Sequence, residues 1–390
     1  MIITDNNLLI PDEQERRQMF HLLKKHSSWT AWNRILGYYQ KWADITEESV
    51  RQADNSGLLP KKPIPSGTIS MSRTPETEDY FAQTSIEYRD YIKITKGVAL
   101  FDEGVRRLAN GDKRVFNSDE AGDFFGRAFG YTDYYQTSKN KIDTGDIGWE
   151  KTTPLMKEFF EALGELCNAW GECAHDILES GDPDDSASAF YSLWHIVFLP
   201  HYPYPNPLPD VPKPAKIVEV KTGDFIPCSG IWEPVEGSVH IGAMNYLHGA
   251  RLAPQLEQSY KDARDLDLGY DTTTEDVTWR LIWRDDRYED GTIPAEEQDY
   301  QFVEPSPPGE KSFLNGPDPE DYLKRHNLPN PLLEVIPRLL RCEGGDKCPQ
   351  DGFWWTPAAN PGTGHFKKGD VMPNYPLSKY GATIWYRTRE

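Results

Sequence analysis

Gly223-Asp224-Phe225-Ile226-Pro227-Cys228-Ser229-Gly230-Ile231-Trp232 recurs further along the chain as Gly345-Asp346-Lys347-Cys348-Pro349-Gln350-Asp351-Gly352-Phe353-Trp354. The shared frame is Gly-Asp-x-x-Pro-x-x-Gly-(apolar)-Trp. It matches Gly223, Pro227, Gly230 and Trp232 with Gly345, Pro349, Gly352 and Trp354, and runs on to Pro234 and Pro357. A second block follows in both copies: Tyr246 through Pro254 parallels Phe366 through Pro373. A third closes each copy on a Trp-bearing strand, Leu281-Ile282-Trp283-Arg284 and Thr383-Ile384-Trp385-Tyr386. Gly-Asp and Pro-x-x-Gly are turn signals, and the apolar-Trp pair starts a strand whose indole fills a small core. The sequence therefore predicts two copies of a small β module. Trp232 and Trp354 are expected to be buried; exposed ligand platforms are the competing reading.

Ahead of the repeat the periodicity is helical. Trp32, Ile35, Leu36, Tyr39 and Trp42 recur at steps of three and four, as one buried face of a helix requires. Upstream, Asp12 and Glu15 stand at capping-box spacing before Met19, Phe20, Leu22 and Leu23, with a break at His26-Ser27-Ser28. A further helix opens at Thr74-Pro75-Glu76 and stops at Asn110-Gly111-Asp112. Another opens at Thr153-Pro154, carries Leu155, Phe159, Leu163, Leu166, Trp170, Cys173 and Ile177, and stops at Gly181-Asp182-Pro183. Ala187–Leu199 reads as helix or buried strand. Between Pro200 and Pro214 proline stands at nearly alternate positions, which excludes helix and central strand and predicts an extended connector. The fold class is α+β. A helical region over 1–199 leads through a Pro-rich linker, 200–215, to β module copy 1, 216–292. A Pro-rich acidic connector, 293–337, with a short helix near Asp318–His326, precedes copy 2, 338–390.

The net charge of −20 repels phosphate backbones, so no nucleic-acid partner is expected. It would speed encounter with a basic protein. Two acidic clusters are the candidate contacts, with solvated loops as the competing reading: Asp182, Asp184 and Asp185, and Asp285 and Asp286 with Glu289 and Asp290. Five cysteines without a Cys-x-x-Cys argue against a disulfide framework and a structural zinc site, although Cys342 and Cys348 are close enough to meet in a hairpin. No apolar run is long enough to span a bilayer and no secretory leader is visible, so a cytoplasmic protein without membrane contact is expected. Glu172-Cys173-Ala174-His175 has the spacing of a di-iron half-site but no second copy, and surface or capping roles are expected for it. His195 and His201 read as packed or capping residues. Asp265-Leu266-Asp267 lacks the Gly and Glu of a calcium loop. No nucleophile elbow, zinc helix or phosphate loop occurs. No cofactor, metal or catalytic residue is assigned.

The segments Glu15–Phe20, His26–Trp32, Tyr38–Asp44, Val277–Trp283, Arg341–Gly345, Gly369–Pro373 and Tyr380–Trp385 together resemble bacterial immunity proteins of the immunity protein 71 and 72 families. The resemblance implies an antidote that binds a cognate secreted antibacterial toxin, often delivered by type VI secretion, without catalysis. The acidic charge fits a basic, nuclease-like toxin. The competing readings are an enzyme that reverses a toxin's modification, and an aromatic-rich module for glycans or cell-wall fragments.

Overall fold

Asp12 and Glu15 form the expected capping box. The Asp12 carboxylate accepts from the Glu15 amide at 2.9 Å, and Glu15 accepts from the Asp12 amide at 2.8 Å. They open α1, Glu13–His26, in a computed structural model. It describes residues 2–3, 9–57, 88–119, 122–143, 153–179, 193–236, 244–259, 272–305, 319–328, 340–356, 358–359, 362–376 and 383–387. The chain forms two compact units, one of residues 1–260 and 271–319, the other of 261–270 and 320–390.

The first unit begins with a two-residue pairing of β1, Ile2–Ile3, and β2, Leu9–Ile10. After α1 the chain breaks at Ser27-Ser28 and continues as α2, Trp29–Asn55, with Ser28 as its N-cap. Trp32, Ile35, Tyr39 and Trp42, all at 0% exposure, form the expected face. Burying each indole contributes on the order of 4 kcal/mol. Packed on α2 are α3, Tyr88–Leu108, and α6, Met156–Ile177. Between these come α4, Phe124–Phe129, and α5, Asp133–Asp143, which the sequence pattern did not announce. Their rings complete the core: Phe125 stacks on Trp32 at 4.2 Å, and Phe129 stacks on Trp170 at 4.0 Å.

Two helix starts need comment. The expected Thr74-Pro75-Glu76 start lies outside the described residues, as does the Gly181-Asp182-Pro183 stop. The expected Thr153-Pro154 cap is displaced: α6 starts at Met156, after Leu155 in the left-handed region (φ 55°) and without a side-chain cap. The Pro154 carbonyl instead accepts from the buried Ser49 hydroxyl on α2. The described part of Ala187–Leu199 is helical: α7, Leu193–Phe198, runs into a 3-10 turn, Leu199–His201. The Pro-rich stretch after it forms no helix or strand.

The first β module completes this unit. Its strands are β3, Glu219–Lys221, β4, Gly230–Glu236, β5, Asn245–Leu247, and β8, Thr278–Arg284, in the antiparallel order β3-β8-β4-β5. A separate hairpin pairs β6, Leu256–Ser259, with β7, Thr272–Glu275. One face of the sheet enters the helical core. Ile231, Met244, Tyr246 and Ile282 belong to the same buried cluster as Trp32 and Phe116. The other face packs Trp232, Trp279, Leu247, Ile226 and Leu256 into a core of its own.

The second unit holds α8, Pro319–Arg325, from its second residue onward, and the second β module. Its strands β9, Arg341–Glu343, β10, Gly352–Trp355, β11, Thr363–Phe366, and β12, Ile384–Arg387, lie in the order β9-β12-β10-β11. The two sheets thus share one topology, and their turns share hydrogen bonds. The Gly223 amide donates to the Ala253 carbonyl at 2.9 Å; the Gly345 amide donates to Met372 at 2.7 Å. Isolated bridges Phe225 to Leu252 and Lys347 to Val371 occupy the same place.

This register corrects two pairings read from the sequence. Val220 pairs with Trp279 and Cys342 with Trp385, each three residues before its turn glycine, so Trp385 corresponds to Trp279 and not to Trp283. Both indoles donate to the carbonyl of the module's closing proline: Trp279 to Pro254 at 2.9 Å, Trp385 to Pro373 at 2.7 Å. Gly352 pairs with Phe366 as Gly230 pairs with Leu247, so the second block starts one residue later in the first copy. Phe366 corresponds to Leu247 and not to Tyr246, and Gly369 (φ 94°) corresponds to Ala250 (φ 63°). The Gly369 amide donates to Cys348 and that of Ala250 to Ile226.

Candidate partner-binding surfaces

The turn after β8 splits the second acidic cluster. Asp285 points inward, and its side chain is 0% exposed. Arg287 grips it in a fork, Nε to Oδ1 and Nη2 to Oδ2 at 2.8 Å each, while the Tyr246 hydroxyl donates at 2.9 Å. Burial alone would raise the Asp285 carboxyl, but the Arg287 guanidinium holds it below the usual carboxylate range. Lys113 adds a third contact at 3.2 Å, and burial pushes its ammonium down to about 8. Asp285 is therefore an interior residue of an ion network. Asp286, Glu289 and Asp290 face solvent. Glu289 stands 3.5 Å from exposed Arg284, and Asp290 accepts from the Thr292 amide and hydroxyl at 2.9 and 2.7 Å. Asp182, Asp184 and Asp185 lie outside the described residues.

The segment beyond this turn straps the helices. The Tyr288 hydroxyl accepts from the Trp29 amide at 2.7 Å and donates to Glu297, whose carboxylate accepts from the Thr30 amide at 3.1 Å. With the Ser28 hydroxyl accepting from Ala31, the first amides of α2 all have partners, and Glu297 places a negative charge at the positive end of the helix. Tyr288 sits at φ 69°, a left-handed conformation costing about 1–2 kcal/mol for a non-glycine residue. Arg287 also reaches the Lys24 carbonyl and the Ser27 hydroxyl, at 2.9 and 2.7 Å.

Glu172 is neither at the surface nor at a helix cap. Its carboxylate has 0% exposure and receives Lys25 and Arg34, both at 3.1 Å, and the Val303 amide. Lys25 is itself fully buried and donates to the Gln301 carbonyl at 3.0 Å. His175 points away and is 89% exposed, so Glu172 and His175 do not converge on a metal. His195 is packed: burial pushes its imidazole down to about 4, as it does those of His21 and His248. Lys25, Glu172, His21 and His248 are buried, and a ligand-binding site needs access. Lys25 and Glu172 join elements instead.

Trp232 and Trp354 are both at 0% exposure, which excludes them as ligand platforms. Their neighbours in the second module differ: Phe353 is 52% exposed and Trp355 37%. Cys342 and Cys348 are buried free thiols, directed at the Lys347 and Gln350 carbonyls. Among the described residues no His, Cys, Asp and Glu cluster has the arrangement of a metal site, and no helix is long and apolar enough to cross a membrane.

Both the helical region and the first β module are similar to immunity proteins, the class the sequence resemblance anticipated. In particular, residues 10–70 and 68–187 match the family model Immunity protein 71, and residues 212–301 match Immunity protein 72. No curated protein and no solved structure matches the chain. The buried network joins the two matched regions: Ser27, Lys25 and Glu172 lie in the first, Asp285, Arg287, Tyr288, Glu297 and Gln301 in the second.

Proposed function

We propose that the protein is an immunity protein that binds one cognate secreted antibacterial toxin and neutralises it by occlusion, without catalysis. The observation that carries this reading is the pair of family matches, which cover both the helical region and the first β module. The disposition of charge supports it. Buried Glu172 and Asp285 are paired with Lys25, Arg34, Arg287 and Lys113, while Asp286, Glu289 and Asp290 stand at the surface. Asp286, Glu289 and Asp290 are the described candidates for contact with a basic, nuclease-like toxin domain, with Asp182, Asp184 and Asp185 as further candidates. Free, buried thiols at Cys342 and Cys348 suit a reducing cytoplasm, where a type VI-delivered toxin would be met.

The test is co-expression and titration with the toxin domain encoded by the neighbouring reading frame. Cells carrying both proteins should grow. In vitro, toxin activity should fall linearly and vanish at one chain per toxin. Loss of activity at a small fraction of one equivalent would point to an enzyme. A protein that neither binds the toxin nor protects the cells would refute the proposal.

A further inference from the structure

The two β modules agree in topology, so core positions of one have counterparts in the other. Val220 pairs with Trp279 as Cys342 pairs with Trp385. The Ile226 amide donates to the Arg251 carbonyl at 2.8 Å, and the Cys348 amide donates to the Asp370 carbonyl at 2.7 Å. The returning bonds match as well: Ala250 donates to Ile226, and Gly369 to Cys348. Cys342 therefore stands where the first module has Val220, and Cys348 where it has Ile226. In the first module these two aliphatic side chains pack in one apolar cluster with Trp232 and Trp279. In the second, both positions are thiols.

The two thiols share a small interior. Among the described residues, Cys342, Cys348, Trp354, Met372 and Trp385 form the buried cluster of this module, and Phe366 packs against it. The turn of residues 343–346 joins the two cysteines. Its Asp346 amide donates to the Glu343 carbonyl at 3.1 Å, with Gly345 at φ 98° in the left-handed position. Across this turn the Cys342 sulfur lies 3.5 Å from the Lys347 carbonyl oxygen, on the peptide bonded to Cys348. Burial pushes the Cys342 thiol up, and Asp346, Cys348 and Glu343 push it further, so the Cys348 sulfur is near enough to act on it. A module of this size buries little apolar surface, and chains that small are commonly held by a cross-link or a metal.

We infer that Cys342 and Cys348 are a dithiol switch, closing to a disulfide that staples β9 and its turn to the module core when the chain meets an oxidising thiol pool. The oxidant is a low-molecular-weight disulfide such as oxidised glutathione. The Cys342 thiolate attacks one of its sulfurs, its S–S bond breaks and one glutathione thiolate leaves. The Cys348 thiolate then displaces the second glutathione from Cys342. Two protein thiols are oxidised to a disulfide, and one glutathione disulfide is reduced to two thiols that take up the two cysteine protons. Cys342 goes first because it lies on the edge strand β9, 8% exposed against 1% for Cys348, and edges open locally. Its raised thiol keeps the attack slow at neutral pH, and oxidation quickens as pH rises. The switch is independent of the toxin partner.

The test incubates the full-length protein with oxidised glutathione, denatures it, blocks the remaining thiols and digests it. Trypsin cuts after Arg341 and Lys347, so the two cysteines fall on separate peptides and their linkage is read directly by mass. The expected result is one disulfide between Cys342 and Cys348 in each chain, returned to thiols by dithiothreitol. Closing a loop of this length should slow hydrogen exchange of the second module's amides by up to about 50-fold. The double variant Cys342→Val, Cys348→Ile carries the first module's residues, keeps the core apolar and should show no difference between oxidised and reduced samples. If that variant fails to fold, the wild-type linkage and exchange decide alone. Both thiols remaining free, a glutathione adduct that goes no further, linkage through Cys167, Cys173 or Cys228, dimers joined between chains, or a linkage that leaves exchange unchanged would each overturn the inference.

Discussion

Glu172 illustrates how a single residue's environment decides its meaning. It follows Ala169 at helical spacing and precedes Cys173, on the buried face of α6. A carboxylate on such a stripe needs partners, and it finds Lys25, Arg34 and the Val303 amide. The charge on the apolar face is a signal that the sequence did contain; the identity of its partners, on α1, α2 and the strap, was not. Glu172→Gln leaves a buried ammonium and a guanidinium without their counter-charge and should cost about 3 kcal/mol or more. Glu165→Gln, which breaks the solvent-exposed pair with Lys41, should cost no more than about 1 kcal/mol. Urea denaturation that gives both variants one midpoint would contradict the assignment.

Among the elements, the helices were the most legible. The cap at Asp12, the break at His26-Ser27-Ser28 and the face of Trp32 to Trp42 are local signals, read within one or two turns of chain. The repeat was legible as a repeat, but its register was not. Trp283 looked equivalent to Trp385 because both close an apolar strand. Strand pairing puts Trp279 there, since equivalence is set by cross-strand partners and not by the order of residue types. The turn glycine shows the same displacement. Ala250 holds the left-handed position that Gly369 fills in the second copy. Relief of that strain, about 1–2 kcal/mol, exceeds the entropic cost of glycine, about 0.5–1 kcal/mol. Ala250→Gly should therefore stabilise the first unit by roughly 0.5 kcal/mol, and Gly369→Ala should weaken the second module. Equilibrium unfolding that shows neither shift would break the equivalence.

For the whole molecule, the helices and the first module depend on one another. The core around Trp32 includes Ile231, Met244, Tyr246 and Ile282, and the first amides of α2 are capped by residues more than two hundred positions away. A fragment of residues 1–215 would expose that apolar face and leave Lys25 and Glu172 without Gln301 and Val303. We expect it to aggregate or to lack the cooperative unfolding of the intact chain, checked by circular dichroism melts and light scattering. A soluble, cooperatively melting fragment would disprove this dependence. Mapping the toxin contact therefore calls for point variants in the intact protein.

The sequence by itself determined the α+β class, the helix faces, several helix ends and the presence of two like β modules. Periodicity, caps and turn residues act over a few residues and are written locally. Only the tertiary structure decided which acidic residues face solvent, with Asp285 turned inward between Arg287 and Lys113 while Asp286 stays out. It alone decided that one copy of the repeated face is buried under α1 and the other displays Phe353 and Trp355. Burial is a property of surfaces brought together from distant parts of the chain, so two similar modules acquired opposite surroundings. The repeat therefore marks architecture where its residues agree, while the surroundings of each copy are set by the rest of the chain.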